Sequence, residues 1–593
     1  MGMRTSIATV CLSGQLTEKL HACAEAGFDG VEIMDADLVA APESPEEIRA
    51  LCARLGLRID MFQPFRDAEG VLDSDFAEVL SRAEAKFDVM ERLGTDLMLL
   101  CSNVATATIG DDETLVRQLG QFADRAAARG IRIAYEALAW GRFVQDYRHA
   151  WNLVRRADRP NLGVCLDSFH ILSLGLDPSG IEQIDAEKIF FLQLADAPDL
   201  DLDVLSWSRH HRLFPGEGSF ELPAFLSHVL RAGYSGPLSL EVFNDTFRQT
   251  DARETADHAL RSLRWLADQT AAANGWSEDR LQAPQVPRGV DFVEVAGEDL
   301  TELDQLLDQL GFIFGGRHRS KPVRLWSRGS ARVILNEQAR ESQPRVASVG
   351  MLVDDTEAAM HRALGIGADE VFRRTFAGEQ RLRGVASPDG TQVFWSDRPP
   401  SASWIQEFAG GETEHAGAAA GGAVDHINLG YSWERFDAAV LFHTSVLGLE
   451  SESTAELPGP RGLVRSTVMR TPDGAVQLAL NLAPPSAPAL ARHVAIRVDD
   501  VTDVARLARD RGLSLLRIPQ NYYDDLGARF DIDPAELAEL RELGLLYDRD
   551  EHGAFVHFYT PTFGGVFFEM VERRGGYVGF GAASTPVRLN AQQ

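Results

Sequence analysis

IFFLQLAD, residues 189–196, decides the fold together with three stretches built the same way: IRIAYEAL (131–138), LGVCLDSFH (162–170) and PLSLEVF (237–243). Each is an apolar run too short for a helix, and each carries one acid or amide toward its end: Glu136, Asp167, Gln193 and Glu241. Nearly continuous apolar runs of this length read as buried parallel strands. In a (β/α)8 barrel the C-terminal strand ends converge on one mouth, so the four polar residues would meet there. Four oxygen donors carrying three formal negative charges repel one another unless a cation lies between them. A hard divalent metal such as Mg, Mn or Co answers that requirement. The competing reading has each residue capping its own strand and binding loop amides; it suits one such residue better than four in consecutive strands.

Working outward, SIATVCL, FDGVEIM, RIDMFQP and DLMLLCS supply four earlier strands. Helical stretches alternate with them: Leu16–Ala26, then PEEIRALCARLG with Pro45 at its start and Gly56 at its end, then DDETLVRQLGQFADRAAARG. Eight βα units within residues 1–275 match the size of a TIM barrel. A doubly wound open sheet would call for a Gly-rich phosphate turn, and no G-x-G-x-x-G follows the first strand. Around the four donors, His170 stands three residues after Asp167, where an imidazole near a metal can move a proton at neutral pH. Arg66 in QPFRDAEG and Arg212 in SRHHRLFPGEG are the two candidates for gripping a substrate carboxylate, Arg212 ahead because its loop follows the Gln193 strand.

Composition narrows the function classes. A chain of 593 residues exceeds the size at which one core stops growing, so more than one domain is expected. A net charge of -30 argues against nucleic acid or an anionic membrane as partner. No apolar run approaches the ~20 residues of a membrane span. The start, MGMRTSIATVCLSG, lacks the charged region, apolar core and cleavage site of a secretory leader, so a cytoplasmic location is expected. The five cysteines (Cys11, Cys23, Cys52, Cys101, Cys165) have no paired spacing and read as reduced core thiols.

Past residue 275 the composition changes. Residues 276–288, with two prolines and no apolar periodicity, read as a linker, and the Gly/Ala tract at 411–423 as a second one. The flanking segments, 289–410 and 424–593, repeat a strand–helix–strand pattern: VDF answers VDH, and SVGMLVDD answers HVAIRVDD. Metal-type residues stand in the second copy alone, at His426, His493 and Glu569, and the first copy is expected to hold no metal. Two histidines and one carboxylate from separate strands make the facial triad of non-haem iron sites.

These motifs carry family resemblances. YEAL, LDSFH, QLAD, RLFPGEG and LEVF resemble the xylose-isomerase-like barrel family of sugar phosphate isomerases and epimerases. VDHINLG, HVAIRVDD, NYYDDLGARFD and GGVFFEMVERRGGYVGFG resemble the α+β vicinal-oxygen-chelate fold, and within it the 4-hydroxyphenylpyruvate dioxygenases. The whole chain resembles the two-domain bacterial 3-dehydroshikimate dehydratases of quinate and shikimate breakdown. That resemblance implies a divalent metal on Glu136, Asp167, Gln193 and Glu241, and dehydration of 3-dehydroshikimate to protocatechuate through an enolate, with His170 moving protons and Arg66 or Arg212 orienting the small-molecule substrate. Many isomerases of the barrel family have His where this chain has Gln193, which favours the lyase over a sugar or hydroxy-keto acid isomerase with a non-catalytic ligand-binding or dimerising C-terminal module. The dioxygenase likeness implies Fe(II) or another divalent metal on His426, His493 and Glu569, and leaves room for a homo-oligomer formed through the C-terminal half. It departs from that family at three places. LALNLAP keeps Asn481 but lacks the usual prolines and Glu, His557 stands where an amide is usual, and ASTPVRLNAQQ replaces the final gate helix. The usual dioxygenase reaction is therefore not expected.

Overall fold

A computed structural model describes residues 2–277, 280–338, 342–398, 402–411, 421–482 and 491–592. Most of the Gly/Ala tract expected at 411–423, two residues of the 276–288 stretch, and the prolines after Asn481 lie outside these residues. The chain folds as two compact units, Met1–Leu281 and Gln282–Gln593.

The first unit is a closed barrel of eight parallel strands: β1 Thr5–Ala8, β2 Gly30–Met34, β3 Arg58–Phe65, β4 Leu97–Cys101, β5 Arg132–Glu136, β6 Leu162–Asp167, β7 Ile189–Leu194 and β8 Leu238–Leu240. Pairing of Ser6 with Ser239 and of Ile7 with Leu240 closes the ring. Local sequence sets the helices between strands. Ser44 accepts from the Glu47 amide while the Glu47 carboxylate takes the Ser44 N–H, Pro45 opens Pro45–Leu55, and Gly56 ends it at φ 76°. The PLSLEVF run yields a strand of only three residues, leaving Glu241 just beyond it. Its backbone turns away to serve the mouth: the Val242 N–H donates to Cys11 Sγ at 3.1 Å and the Phe243 carbonyl accepts from the Arg212 N–H at 3.2 Å.

Strand alternation places the site. Side chains at even and odd strand positions face opposite ways, and one parity packs outward against the helices: Val31, Ile33, Tyr135, Leu166 and Leu192. The other parity fills the barrel interior with Met61, Leu99, Cys101, Ala134, Cys165 and Phe191. Glu32, Gln63, Glu136, Asp167, Gln193 and Ser239 share that inward parity, each two residues or one register step from an interior residue, and all are nearly or fully buried.

The second unit holds two eight-stranded sheets. The first contains β9 Gly289–Ala296, β10 Ile313–His318, β11 Val323–Arg328, β12 Ala331–Asn336, β13 Arg345–Leu352, β14 Arg383–Ala386, β15 Gln392–Ser396 and β16 Phe408–Gly410. The second contains β17 Ala423–Tyr431, β18 Glu450–Gly459, β19 Gly462–Arg470, β20 Gln477–Leu482, β21 Arg492–Arg497, β22 Leu546–Arg549, β23 Gly553–Tyr559 and β24 Val566–Gly575. The duplication extends to the register. In the first sheet Phe292 pairs with Gly350, which pairs with Phe394; in the second, His426 pairs with Ala495, which pairs with Glu569. Phe292, Ser348 and Phe394 thus occupy the places of His426, His493 and Glu569. Phe292 and Phe394 join Trp404 in an apolar cluster, and only glycine fits at 350, because a Cβ there would come within 2.3 Å of the Phe292 ring. Where ASTPVRLNAQQ was expected to abandon the terminal helix, a short one persists at Thr585–Ala591. It stays because Arg588 is buried, its guanidinium lying 5.5 Å and 5.4 Å from the Tyr559 and Phe567 ring centres.

Candidate metal centres

At the barrel mouth, Glu136, Asp167, Gln193 and Glu241 are all no more than 5% exposed. Asp167 and Gln193 are direct register partners on neighbouring strands. The strand-capping reading holds for one oxygen: Asp167 Oδ1 accepts from the Phe169 amide at 2.7 Å, while Oδ2 faces the site. Glu136 Oε2 takes only the weak Cys101 thiol at 3.3 Å, and Oε1 is buried with no hydrogen-bond partner. Desolvation, with Glu241 and Asp167 nearby, pushes the Glu136 carboxyl well above the usual carboxylate range. Glu241 is also raised, first by burial, with Arg212 pulling against it.

The single buried cation among these acids is Arg212, 1% exposed. Its Nη1 donates to Asp167 Oδ2 at 2.8 Å and to Glu241 Oε2 at 3.3 Å, its Nη2 to Ser208 Oγ at 3.0 Å, and its plane lies 4.5 Å from the Phe169 ring centre. This corrects the expectation that Arg212 reaches for a substrate carboxylate, since its donors are turned inward onto the acids. One buried positive charge faces three buried carboxylates, with Arg66 and Arg209 only half-buried, and two carboxylates 4 Å apart repel by roughly 4 kcal/mol at a protein-like dielectric. The orphaned Glu136 oxygen and the uncompensated charge both fit a divalent cation held by oxygen donors.

His170 is 2% exposed and packs edge-on against Trp140, ring centres 4.9 Å apart. Its Nδ1 lies 3.2 Å from the Ala139 N–H donor, and its Nε2 lies 3.3 Å from Arg212 Nη2, 3.5 Å from Asp167 Oδ2 and 4.0 Å from Glu136 Oε1. Burial, only partly opposed by Asp167, lowers its pKa to about 3, which keeps the ring neutral at physiological pH. Arg66 is half-buried, and its charge acts on both His170 and Glu241. Three residues that the sequence reading missed belong here. Arg209, half-buried, has its guanidinium 5.7 Å from the Phe243 ring centre and acts on Glu241 alongside Arg66. Gln63 and Glu32 sit beneath the four donors: Gln63 Nε2 and Gln193 Nε2 donate to Glu32 Oε2 at 2.8 Å and 2.7 Å, and Ser239 Oγ donates to Glu32 Oε1. Their inward parity in FDGVEIM and RIDMFQP was the available signal.

In the second unit, His426, His493 and Glu569 are brought together from three adjacent strands and are all buried. Glu569 Oε2 lies 3.2 Å from His426 Nε2 and 3.1 Å from His493 Nε2, and the two nitrogens are 3.3 Å apart. Behind them, Asp425 Oδ1 holds His426 Nδ1 at 2.9 Å, and Arg573 braces Asp425 through two bonds of 2.7 Å and 2.8 Å. Burial alone would lower both histidines. For His426 the Asp425 and Glu569 carboxylates outweigh it and raise the pKa to about 9, whereas His493 falls to about 4. His557 does not join the three: its Nδ1 lies 2.5 Å from Glu569 Oε1, taking up the oxygen that faces away from the histidine pair. Asn481 is buried on β20, with its side-chain oxygen unpartnered.

The first copy also gathers His318, Glu379 and Glu407. There His318 Nε2 lies 2.9 Å from Glu407 Oε2 and Lys321 Nζ donates to Glu379 Oε2 at 2.8 Å. Lys321 thus offsets one of the two carboxylates of this group, and His318 bonds the other.

Comparison with known proteins agrees with this geometry. Residues 20–269 match the xylose isomerase-like TIM barrel family, residues 281–406 the N-terminal hydroxyphenylpyruvate dioxygenase family, and residues 423–553 the glyoxalase/bleomycin resistance protein/dioxygenase superfamily. A 3-dehydroshikimate dehydratase of Pseudomonas aeruginosa is 43% identical over 99% of this chain and 98% of its own length. One from Pseudomonas putida is 41% identical with the same coverage. A solved xylose isomerase-like TIM barrel/4-hydroxyphenylpyruvate dioxygenase fusion protein is 40% identical, covers 100% of this chain and 99% of its own, and superposes with a TM-score of 0.87.

Proposed function

The chain belongs to the two-domain 3-dehydroshikimate dehydratase family, and from that premise we propose that its barrel removes water from 3-dehydroshikimate to give protocatechuate, with Glu136, Asp167, Gln193 and Glu241 holding a divalent cation. The observation that carries this reading is the meeting of these four buried side chains at consecutive strand ends, with Glu136 Oε1 unpartnered and Arg212 the one fully buried cation beside them among the described residues. An oxygen-rich set of this kind suits Mg, Mn or Co. When bound, the cation supplies Lewis acidity toward the substrate's ketone oxygen.

The chain's own groups do the rest. The C4 proton is acidic because it neighbours the ketone, and the C5 hydroxyl is β to that ketone. Elimination breaks C4–H and C5–O and forms a C4–C5 double bond; a proton shift then gives the catechol. A group that takes the C4 proton and returns one to the departing hydroxyl balances the reaction without net proton or electron transfer. His170, a neutral imidazole whose Nε2 lies beside Asp167 and Glu136, is the group placed to move that proton. Arg66 and Arg209 at the rim are the cations left to face the substrate carboxylate, since Arg212 is bound to Asp167 and Glu241. Aromatisation drives the reaction one way, so no redox cofactor is called for. Buried, unpaired cysteines suit a reducing cytoplasmic setting.

The test is an ultraviolet assay of the purified chain with 3-dehydroshikimate. Catechol absorbance should grow, stop on chelation, and return when Mg, Mn or Co is restored; its absence under all three metals would sink the lyase reading. For the second unit, the reading is Fe(II) or another divalent ion on His426, His493 and Glu569, because two imidazole nitrogens and a carboxylate oxygen without a hydrogen-bond partner converge there.

A further inference from the structure

Glutamine is an ambiguous ligand. Its terminal torsion is broad and roughly two-fold, so the side chain can present either end. Only the carbonyl oxygen can bind a hard cation, while the NH2 end offers protons and repels one. Something outside Gln193 must therefore choose between the two ends.

We propose that Glu32 is the positioning residue that makes this choice, holding the Gln193 nitrogen away from the cation so that the oxygen faces it. The inference rests on the metal reading above. Glu32 is fully buried on β2 and touches none of the other three ligands by a hydrogen bond. Its Oε2 accepts from Gln193 Nε2 at 2.7 Å and from Gln63 Nε2 at 2.8 Å, while Oε1 accepts from Ser239 Oγ. Flipping the Gln193 amide would remove the N–H that Glu32 Oε2 now accepts and set the amide oxygen against it at that same short separation, while Gln63 and Ser239 already donate to that carboxyl. The opposite end meets only Cys165 Sγ at 3.5 Å, a weak donor that does not compete with a metal. The Gln63 amide, held by the same oxygen, keeps Glu32 from swinging toward β7. Gln193 thus has the end it turns to the cation set by a carboxylate on β2.

A double-mutant cycle on metal affinity separates orientation from simple support of the fold. The full chain carrying His426→Ala and His493→Ala, which silences the second centre, is titrated with Mn(II) by calorimetry. Glu32→Met, unbranched and without an acceptor, is expected to weaken Mn(II) binding about 10–100-fold while Gln193 is present. With Gln193→Ala already in place it is expected to cost no more than about twofold, the scatter of uncoupled sites. Equal losses in both backgrounds, or no loss in either, overturn the proposal, because a purely structural or long-range charge effect ignores whether an amide is there to orient. Should the parent bind no Mn(II), the metal reading fails first and takes this inference with it. Glu32→Gln keeps the volume and one acceptor oxygen, with Ser239 free to accept instead of donate, and so remains measurable if the methionine variant does not fold. It is expected to show coupling within about twofold, and tenfold coupling would refute the acceptor argument directly.

Discussion

Asp167 shows how much one side chain is asked to do. One of its oxygens caps the helix Ser168–Leu172 and the other faces the acids, with Arg212 between it and Glu241. Substituting Glu136 by Ala, which removes the unpartnered oxygen while leaving that cap intact, should therefore cost activity without costing the fold. Loss of Lewis-acid assistance worth several kcal/mol corresponds to a drop in kcat of about 1,000-fold or more, with circular dichroism and melting temperature near the parent. Turnover persisting in Glu136→Ala would refute the ligand assignment. At the rim, Arg66→Ala and Arg209→Ala should each raise KM about 10–100-fold, as expected when a hydrogen bond to a charged group is lost, with a smaller effect on kcat. The four oxygen donors at the mouth were legible because each stands toward the end of an apolar run. Glu32 was not, since a polar residue in the middle of FDGVEIM looks like a flaw until strand parity shows that it faces inward; Gln63 stood near the end of RIDMFQP and was passed over because it carries no charge to signal a site. Arg209 was hidden by its neighbours: in SRHHRLF sequence alone cannot tell which of two arginines turns inward, and the structure gives that role to Arg212.

Among the elements, β17, β21 and β24 carry a consequence that pH can expose. His426 titrates near 9 in the folded, metal-free unit against an ordinary value of 6.5, so its contribution to stability is complete below about 6.5 and is lost as pH rises through 9. His493, lowered to about 4, acts in the opposite direction: the unfolded chain binds more protons between 4 and 6.5, so stability falls as pH drops through that window. Thermal melts of the chelated protein should show a maximum near pH 6.5 for the second unit, and His426→Gln should flatten the alkaline side alone. Metal binding there must displace the His426 proton, so affinity measured by calorimetry should climb with pH up to about 9. The duplication behind this sheet was visible in VDF against VDH and SVGMLVDD against HVAIRVDD. The third correspondence was visible as well, since DGTQVFWSD laid against GGVFFEMVE sets Phe394 on Glu569, and the register repeats it. The short terminal helix was illegible, since what holds it is one arginine packed among rings distant in sequence.

For the molecule as a whole, the two centres predict two divalent ions per chain when both are loaded. His493→Ala should remove the second ion, read by elemental analysis, and leave 3-dehydroshikimate turnover within about twofold of the parent, the scatter expected when an uncoupled site has no share in the chemistry. A tenfold fall in turnover would mean that the second centre supports the first. No helix among the described residues is long and apolar enough to cross a membrane, and with a net charge of -30 the surface suits a small anionic metabolite only where arginines offset the acids, as Arg66 and Arg209 do at the barrel rim.

The paired sheets of the second unit are near twins that solved one packing problem twice. In one, three register positions carry phenyl rings and a serine over a glycine-sized gap; in the other, the same three carry imidazoles and a carboxylate. At these three matched positions a chelator therefore has purchase on one twin and none on the other. Deuterium uptake after chelation should quicken across Ala423–Tyr431, Arg492–Arg497 and Val566–Gly575 and stay slow across Gly289–Ala296, Arg345–Leu352 and Gln392–Ser396, so that each molecule carries its own internal control for what the ion contributes.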